Sequence, residues 1–165
     1  MSRTNLVLLI LLALQGGIVL LQLVGGRGDE AVQAGPFLDG LSVAAVQEMT
    51  LSDGDSAVTL RRTATGWGVV ENDLYPASAD KTGELLQELV AISTREMISR
   101  SSAHHVDLEV AEAAFNRRVR VEAGEQTHTI YVGKAGPGGS TYVRREGEDD
   151  VFSVSDFSPH KLSAR

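Results

Sequence analysis

The sequence predicts an α+β protein: an N-terminal transmembrane helix, then a small antiparallel β-rich domain with one amphipathic helix packed on the sheet. Three observations lead to this prediction. Residues 6–24 form an uncharged apolar run, and most later apolar residues alternate with polar ones at the two-residue period of a strand. Only residues 78–92 follow a helical period instead. A chain of 165 residues has room for one membrane segment and one modest soluble domain.

Composition excludes several classes of function. Asp and Glu number 22 against 15 Lys and Arg, which gives a net charge of −7. An acidic domain repels phosphate backbones, so we expect no nucleic-acid partner. The chain has no cysteine, which removes disulfides, thiolate metal sites and cysteine nucleophiles together.

The apolar run at residues 6–24 is long enough to cross a membrane. At about 1.5 Å per residue it spans about 28 Å, close to the roughly 30 Å hydrocarbon core of a bilayer. A cleavable signal peptide is the alternative, with Val32-Gln33-Ala34 as the small-residue cleavage site. Hydrophobic regions of signal peptides are usually about 7–15 residues long, so this longer run favours a retained anchor.

Charges beside the run predict its orientation. Arg3 precedes it, whereas Arg27 on the other side is followed at once by Asp29 and Glu30. This bias favours a cytoplasmic N-terminus, residues 1–5, with the domain outside the inner membrane.

Polar residues inside the run indicate contact with another membrane helix. A glutamine amide in lipid gains by bonding to a neighbouring helix, and glycines allow close approach. The predicted contact residues are Gln15, Gly16, Gly17 and Gln22. The alternative is that a single span simply tolerates them, and no GxxxG pattern is present to decide.

Residues 25–42 are predicted to be a tether, because residues 25–40 hold five glycines and several charges. The domain is predicted over residues 43–157 and a tail over 158–165. It begins with three short strands, around Met49 and Leu51, around Val58 and Leu60, and from Gly66 through Trp67 and Val69. We interpret Trp67 as a core residue, with ligand stacking as the alternative.

The helix is predicted from its N-terminal signals and its apolar face. Ser78 suits an N-cap, and Asp80 suits the positive end of the helix dipole. The apolar positions fall largely on one face: Leu85, Leu86, Leu89, Val90 and Ile92.

The stretch SSAHHVDLEV, residues 101–110, combines two histidines with two carboxylates. Val106, Leu108 and Val110 alternate with polar residues, which predicts a strand with His105, Asp107 and Glu109 on its outer face. A metal or acid–base site using His105 and Asp107 is the alternative. It needs further ligands, and His128 is the only other mid-domain histidine, so we favour the solvated strand.

Four more strands are predicted, at residues 118–123, 129–132, 141–145 and 151–154. The glycine-rich loop at 133–140 lacks the GxxxxGK[ST] order and the following helix of a nucleotide-binding loop. Neither GxSxG nor HExxH occurs. We therefore predict no enzymatic activity and no cofactor.

The order of these motifs resembles the bacterial family of domain of unknown function 4340. The resemblance covers residues 43–157 and is carried by Gly66-Trp67, the Leu-Leu-x-x-Leu helix, SSAHHVDLEV, FNRRVRVEAG and the tail from THTIYVG to VFSV. It implies a single-span extracytoplasmic protein built of repeated strand-and-helix units and associated with gliding-type ABC transport systems. It implies no catalytic residues. Against this pattern, we expect the chain to hold about one unit and to stop early, near Phe157, either as a truncated member or as a small accessory subunit.

The expected function is that of a non-enzymatic, membrane-anchored accessory subunit. Its expected partners are the bilayer, through residues 6–24, and integral membrane proteins, with an ABC-type transporter implied by the resemblance. The alternative is an extracytoplasmic module that binds a small ligand, glycan or metal. Its candidate residues are Trp67, His105, Asp107, Tyr131 and Tyr142.

Overall fold

The structure is a computed structural model that describes Gln15 and residues 35–94, 96–155, 157 and 159–162. The chain divides into two compact units, Met1–Val32 and Gln33–Arg165. The predicted membrane span lies outside the described residues, apart from Gln15, which is helical and exposed. Within the described ranges, no helix combines the length and the apolar character needed to cross a membrane.

The second unit is rich in β-structure, and its described residues form thirteen strands and one α-helix. The strands are β1 (Gly35–Pro36), β2 (Val46–Ser52), β3 (Ala57–Thr63), β4 (Gly66–Val69), β5 (Tyr75–Ala77), β6 (Ser93–Thr94), β7 (Glu96–Ser99), β8 (Val110–Ala111), β9 (Ala114–Phe115), β10 (Arg117–Ala123), β11 (Gln126–Ala135), β12 (Thr141–Arg145) and β13 (Val151–Val154). The helix, α1, is Ala79–Ala91.

Nine of these strands make one antiparallel sheet in the order β5-β4-β3-β2-β10-β11-β12-β13-β7. It consists of two meanders, β2 to β5 and β10 to β13, which join where β2 pairs with β10, and of β7, which pairs with β13. The chain leaves the first meander at one edge, passes through α1, and returns as β7 at the opposite edge. The predicted antiparallel sheet with one helix is therefore confirmed.

The helix covers one face of the sheet. The backbone N–H of Lys81 donates to the Ser78 side chain, so the predicted N-cap is present. The buried face of α1 carries Leu85, Leu86 and Leu89. Burying each such leucine contributes about 1.5–3 kcal/mol. Leu85 lines a groove together with Leu51 and Leu60 of the sheet, which identifies the face that α1 covers.

The opposite face is covered by the hairpin of β8 and β9. Cross-strand pairing puts Arg118, Tyr131, Arg144 and Val151 in one row on this face. Tyr131 and Val151 form a buried cluster with Val110 of the hairpin. Each face of the sheet is therefore partly covered, by α1 on one side and by the hairpin over β11 and β12 on the other.

The predicted tether extends too far toward the domain. Within it, β1 pairs with β6, and Phe37, Leu38 and Leu41 are all at most 6 % exposed. The Phe37 ring meets the Phe152 ring edge-on, with centroids 6.0 Å apart. The tether was predicted from its glycine and charge content, but these three apolar side chains pack into the domain. At the other end, Leu162 is fully buried, so the predicted tail also contributes to the core.

The predicted strand at residues 106–110 is wrong except at Val110, which begins β8. Ser102–His104 is a 3-10 helix, and the backbone then turns, with the N–H of Leu108 donating to the carbonyl of His104. Val106 is 62 % exposed and His105 is 7 % exposed, the reverse of the predicted faces. Local helical hydrogen bonds prevail here because the strand pattern spans only three apolar residues.

Candidate functional site

Trp67, a candidate ligand contact, is a core residue of β4 and only 7 % exposed. The Arg62 guanidinium lies 4.8 Å from its ring centroid. Arg62 also donates to the carbonyl oxygens of Val43 and Val46, which holds it in that position. One ring face is therefore covered by a fixed cation.

Tyr131 and Tyr142, two further candidates, belong to one cluster. Tyr131 is 2 % exposed, and the partly buried Tyr142 packs against the same cluster. The Tyr131 hydroxyl donates to Oε1 of Glu146 at 3.2 Å. Burial and the neighbouring Glu146 carboxylate raise the pKa of the Tyr131 phenol above its usual value.

Sequence reasoning missed Arg144, which is the most buried charged residue near these tyrosines, at 3 % exposure. Its guanidinium lies 4.5 Å from the Tyr131 ring centroid. It donates to the carbonyl oxygens of Val110 at 2.7 Å and Glu148 at 2.9 Å. Arg144 thus joins the covering hairpin to the β12–β13 turn. The sequence gives no signal of this, because arginine beside a turn is usually exposed.

His105 and Asp107, the candidate metal pair, are separated by their environments. His105 is buried with its Nε2 3.0 Å from the Asp149 carbonyl oxygen, whereas Asp107 is exposed. Over the described ranges, no group of three or more His, Asp or Glu side chains is arranged to hold a metal ion. The five candidate residues of the ligand-binding alternative do not form a single site.

Two cavities lie beside α1. A cleft of about 130 Å³ is lined by residues of the helix C-terminus, β6, β7 and the end of β13, among them Glu88, Glu96 and Ser153. An open, largely apolar groove of about 350 Å³ lies between the first turns of α1 and the strands β2 and β3.

The most distinctive exposed feature is the segment Val70–Tyr75, called the Leu74 turn below. It starts with a 3-10 helix, Val70–Asn72, and ends by entering the edge strand β5. Leu74 is 42 % exposed and Tyr75 is 65 % exposed. Two large apolar side chains are therefore adjacent and turned to solvent at one edge of the sheet.

The backbone of the Leu74 turn is strained. Asp73 and Leu74 have φ values of +48° and +59°, both in the left-handed region. That region costs an L-residue about 1–2 kcal/mol, and it is least unfavourable for glycine, asparagine and aspartate. Leucine is not among these residues, so the left-handed backbone at position 74 destabilises the folded domain.

Two residues hold the turn in place, Glu71 within it and Gly68 beside it. Both carboxylate oxygens of Glu71 lie 2.9 Å from the Thr59 backbone nitrogen, which donates to them. Gly68 of β4 faces the turn, where a Cβ atom would lie 2.8 Å from the Leu74 carbonyl oxygen. Only glycine allows this close approach.

The two edges of the sheet differ. In β5, Pro76 has no backbone N–H to donate to an added strand. In β7, at the other edge, no proline occurs and Ile98 is 40 % exposed. A partner at the β5 edge is therefore expected to contact side chains of the Leu74 turn rather than to extend the sheet.

Together these features define a small antiparallel sheet domain partly covered on both faces, with exposed large apolar side chains at turns and at the sheet edges among the described residues. The family is established by comparison of the sequence: the model of the domain of unknown function DUF4340 matches residues 67–165, and the chain belongs to this family. The match starts inside β4, so β2 and β3 complete the sheet from outside the matched region. Searches of curated proteins and of solved structures found no significant match.

Proposed function

We propose that this chain is a non-enzymatic, single-span accessory subunit of a bacterial membrane protein complex, with its DUF4340 domain outside the cytoplasmic membrane. The observation that carries the proposal is the exposure of two adjacent large apolar side chains, Leu74 and Tyr75, on a turn whose conformation is fixed. Scattered single exposed apolar residues are ordinary on protein surfaces, whereas protein-binding sites bring exposed apolar side chains together, as these two sequence neighbours do.

The apolar run at residues 6–24 supports attachment to a membrane, because its length matches the hydrocarbon core. Gln15, Gly16, Gly17 and Gln22 are the proposed contacts with a partner's transmembrane helix. The family resemblance makes an ABC-type transporter the first partner to test.

The test is purification of the full chain from native membranes at its natural expression level. We expect the chain to need detergent for release and to elute with another membrane protein in a fixed ratio. The Gln15→Leu variant should elute with less of that partner, whereas Leu11→Ile, a matched change in the same run, should not. A lone 17.6 kDa monomer, or release without detergent, would reject the proposal.

Binding of a small ligand is the second candidate, supported by the two cavities beside α1. Small-molecule sites usually occupy about 300–1,000 Å³. The cleft at the helix C-terminus, at about 130 Å³, is below this range, whereas the apolar groove, at about 350 Å³, is within it but open. Titration of the full chain with Ca²⁺, Mg²⁺ or Zn²⁺ tests the metal version, since a bound ion raises the unfolding temperature.

A further inference from the structure

We propose that the Leu74 turn is the docking element of the DUF4340 domain and inserts into an apolar groove rimmed by Lys or Arg side chains on a partner protein. This inference rests on the proposed function and adds the contact residues and the chemistry of the partner. Leu74 and Tyr75 are the anchors, and the carboxylate of Asp73 meets the basic rim.

The anchors differ from the other exposed apolar residues in being adjacent. Among the described residues, the exposed large apolar side chains are Leu74, Tyr75, Ile98 and Val106. Ile98 and Val106 are isolated in sequence from each other and from this pair. A tyrosine has few rotatable bonds and a large contact area, so it loses little entropy when it binds.

The backbone strain provides an independent argument for a binding role. Leu74 has a left-handed backbone, and the fold leaves 42 % of the residue exposed. An asparagine or glycine would fit the backbone better and would suit the exposure equally well. The folded domain covers only part of the leucine, whereas an apolar partner groove would cover the rest.

The turn is also preorganised. Glu71 ties it to β3, and Gly68 lets its backbone lie against β4. An element that is already ordered loses less conformational freedom on binding, and a larger share of the contact energy appears as affinity. This rigidity fits a short docking element better than a flexible loop.

Charge indicates the chemistry of the partner. Asp73, the residue directly before Leu74, is an exposed carboxylate, and the segment between Arg62 and Arg95 contains five carboxylates and one lysine. A carboxylate beside the anchors repels an anionic lipid headgroup or nucleic acid and attracts a basic protein surface. Because Pro76 blocks strand addition at this edge, the contact is made by side chains.

The experiment is site-specific photo-cross-linking of the full chain in native cells, with benzoylphenylalanine replacing Tyr75 or, as the control position, Ile98. We expect a cross-link to another protein from position 75, onto a peptide with Lys or Arg beside apolar residues. Adding Leu74→Asn should lower its yield at least tenfold, Asp73→Asn should lower it less, and Val106→Asn should leave it unchanged. Thermal unfolding of the Leu74→Asn chain verifies that the variant is folded.

Several outcomes would overturn the inference. It fails if the cross-link survives Leu74→Asn, if position 98 gives the same cross-link, or if position 75 links two copies of this chain. It also fails, with the proposed function intact, if a partner co-purifies but position 75 gives no cross-link. If neither a cross-link nor a co-purifying protein is found, the proposed function itself is wrong.

Discussion

Both carboxylate oxygens of Glu71 accept the backbone N–H of Thr59, each at 2.9 Å. Strand β4 pairs with β3 only from Leu60 onward, so Thr59 has no carbonyl of β4 opposite its N–H. The carboxylate therefore takes the place of the missing strand. One side chain completes the edge of the β3 ladder and fixes the Leu74 turn against it.

Replacing Glu71 with alanine should destabilise the turn and lower the free energy of unfolding at pH 7 by about 1 kcal/mol, because a hydrogen bond to an exposed charged group is partly screened. Glu71→Gln keeps one acceptor oxygen, so it should lower the free energy of unfolding by less than Glu71→Ala. Hydrogen exchange of the full chain in detergent measures the effect at the Thr59 amide. Equal protection of Thr59 in Glu71→Ala and the wild type would contradict this role.

The contribution of Glu71 to the stability of the folded domain should depend on pH. Burial raises the pKa of this carboxyl, but hydrogen bonds from Thr59 and from the backbone N–H of Glu71 itself together outweigh it, so the pKa lies below its usual value of 4.5. A lowered pKa means stabilisation that is present above pH 4.5 and lost as the pH falls through the folded-state value. The difference in unfolding temperature between wild type and Glu71→Ala should shrink toward zero below that value. A difference that stays constant with pH would contradict the assignment.

Replacing Leu74 with asparagine should stabilise the domain while weakening partner binding. Asparagine tolerates the left-handed backbone, so relief of strain is worth up to about 1 kcal/mol. Leu74→Ala is the matched control, since it shortens the side chain but keeps the unfavourable backbone for an L-residue. Thermal unfolding should show a higher midpoint for Leu74→Asn only. A lower midpoint would mean that Leu74 stabilises the fold.

Removing the Arg144 side chain should be among the most damaging changes on the hairpin-covered face. Arg144→Ala leaves the Val110 and Glu148 carbonyls without their donor and opens a space beside the Tyr131 ring, for a loss of about 3 kcal/mol or more. Lysine cannot reproduce the forked contacts, so Arg144→Lys should rescue only part of the loss. Arg120→Ala is the control. This exposed arginine has an ion pair with Glu122, and its removal should lower the free energy of unfolding by about 0.5 kcal/mol. Similar midpoints for Arg144→Ala and Arg120→Ala in denaturant unfolding would contradict this ranking.

The sequence predicted most of the regular elements of the domain because their patterns are long or have clear end signals. Strand β10 alternates over several residues, and Ser78 caps α1 where its N-cap pattern indicated. The predicted strand at residues 106–110 failed because a two-residue period over five positions also fits a turn. Strand β7 was missed because Glu96–Ser99 has no clear alternation and is ordered by pairing with β13.

The candidate site was less predictable than the fold. The exposure of Leu74 and Tyr75 depends on the left-handed backbone at positions 73 and 74, and nothing in the sequence indicates that an Asp-Leu pair adopts it. The burial of His105 and Arg144 depends on carbonyl groups supplied by distant turns. The local sequence pattern predicts neither this exposure nor this burial, since both depend on tertiary structure.

Two glycines of this domain should respond in opposite ways to alanine. A Cβ on Gly133 in β11 would collide with the carbonyl oxygen of Leu108 and would lie 2.8 Å from Cγ1 of Val110. The backbone N–H of Lys134 donates to that same Leu108 carbonyl, so the turn cannot move away without losing a hydrogen bond. We expect Gly133→Ala to cost about 3 kcal/mol or more and to increase hydrogen exchange over residues 105–110.

Gly83 in α1 is the matched control, because a Cβ there has no heavy atom within 4 Å. Gly83→Ala should raise the free energy of unfolding by about 0.5–1 kcal/mol, since alanine loses less backbone entropy in a helix. The same substitution therefore distinguishes the two glycines. Gly133 provides space for the turn that covers Tyr131, whereas Gly83 only weakens the helix. Equal unfolding midpoints for the two variants would show that the 105–110 turn is not packed against β11. The burial of Val110 and the position of Arg144 over Tyr131 would then both need another explanation.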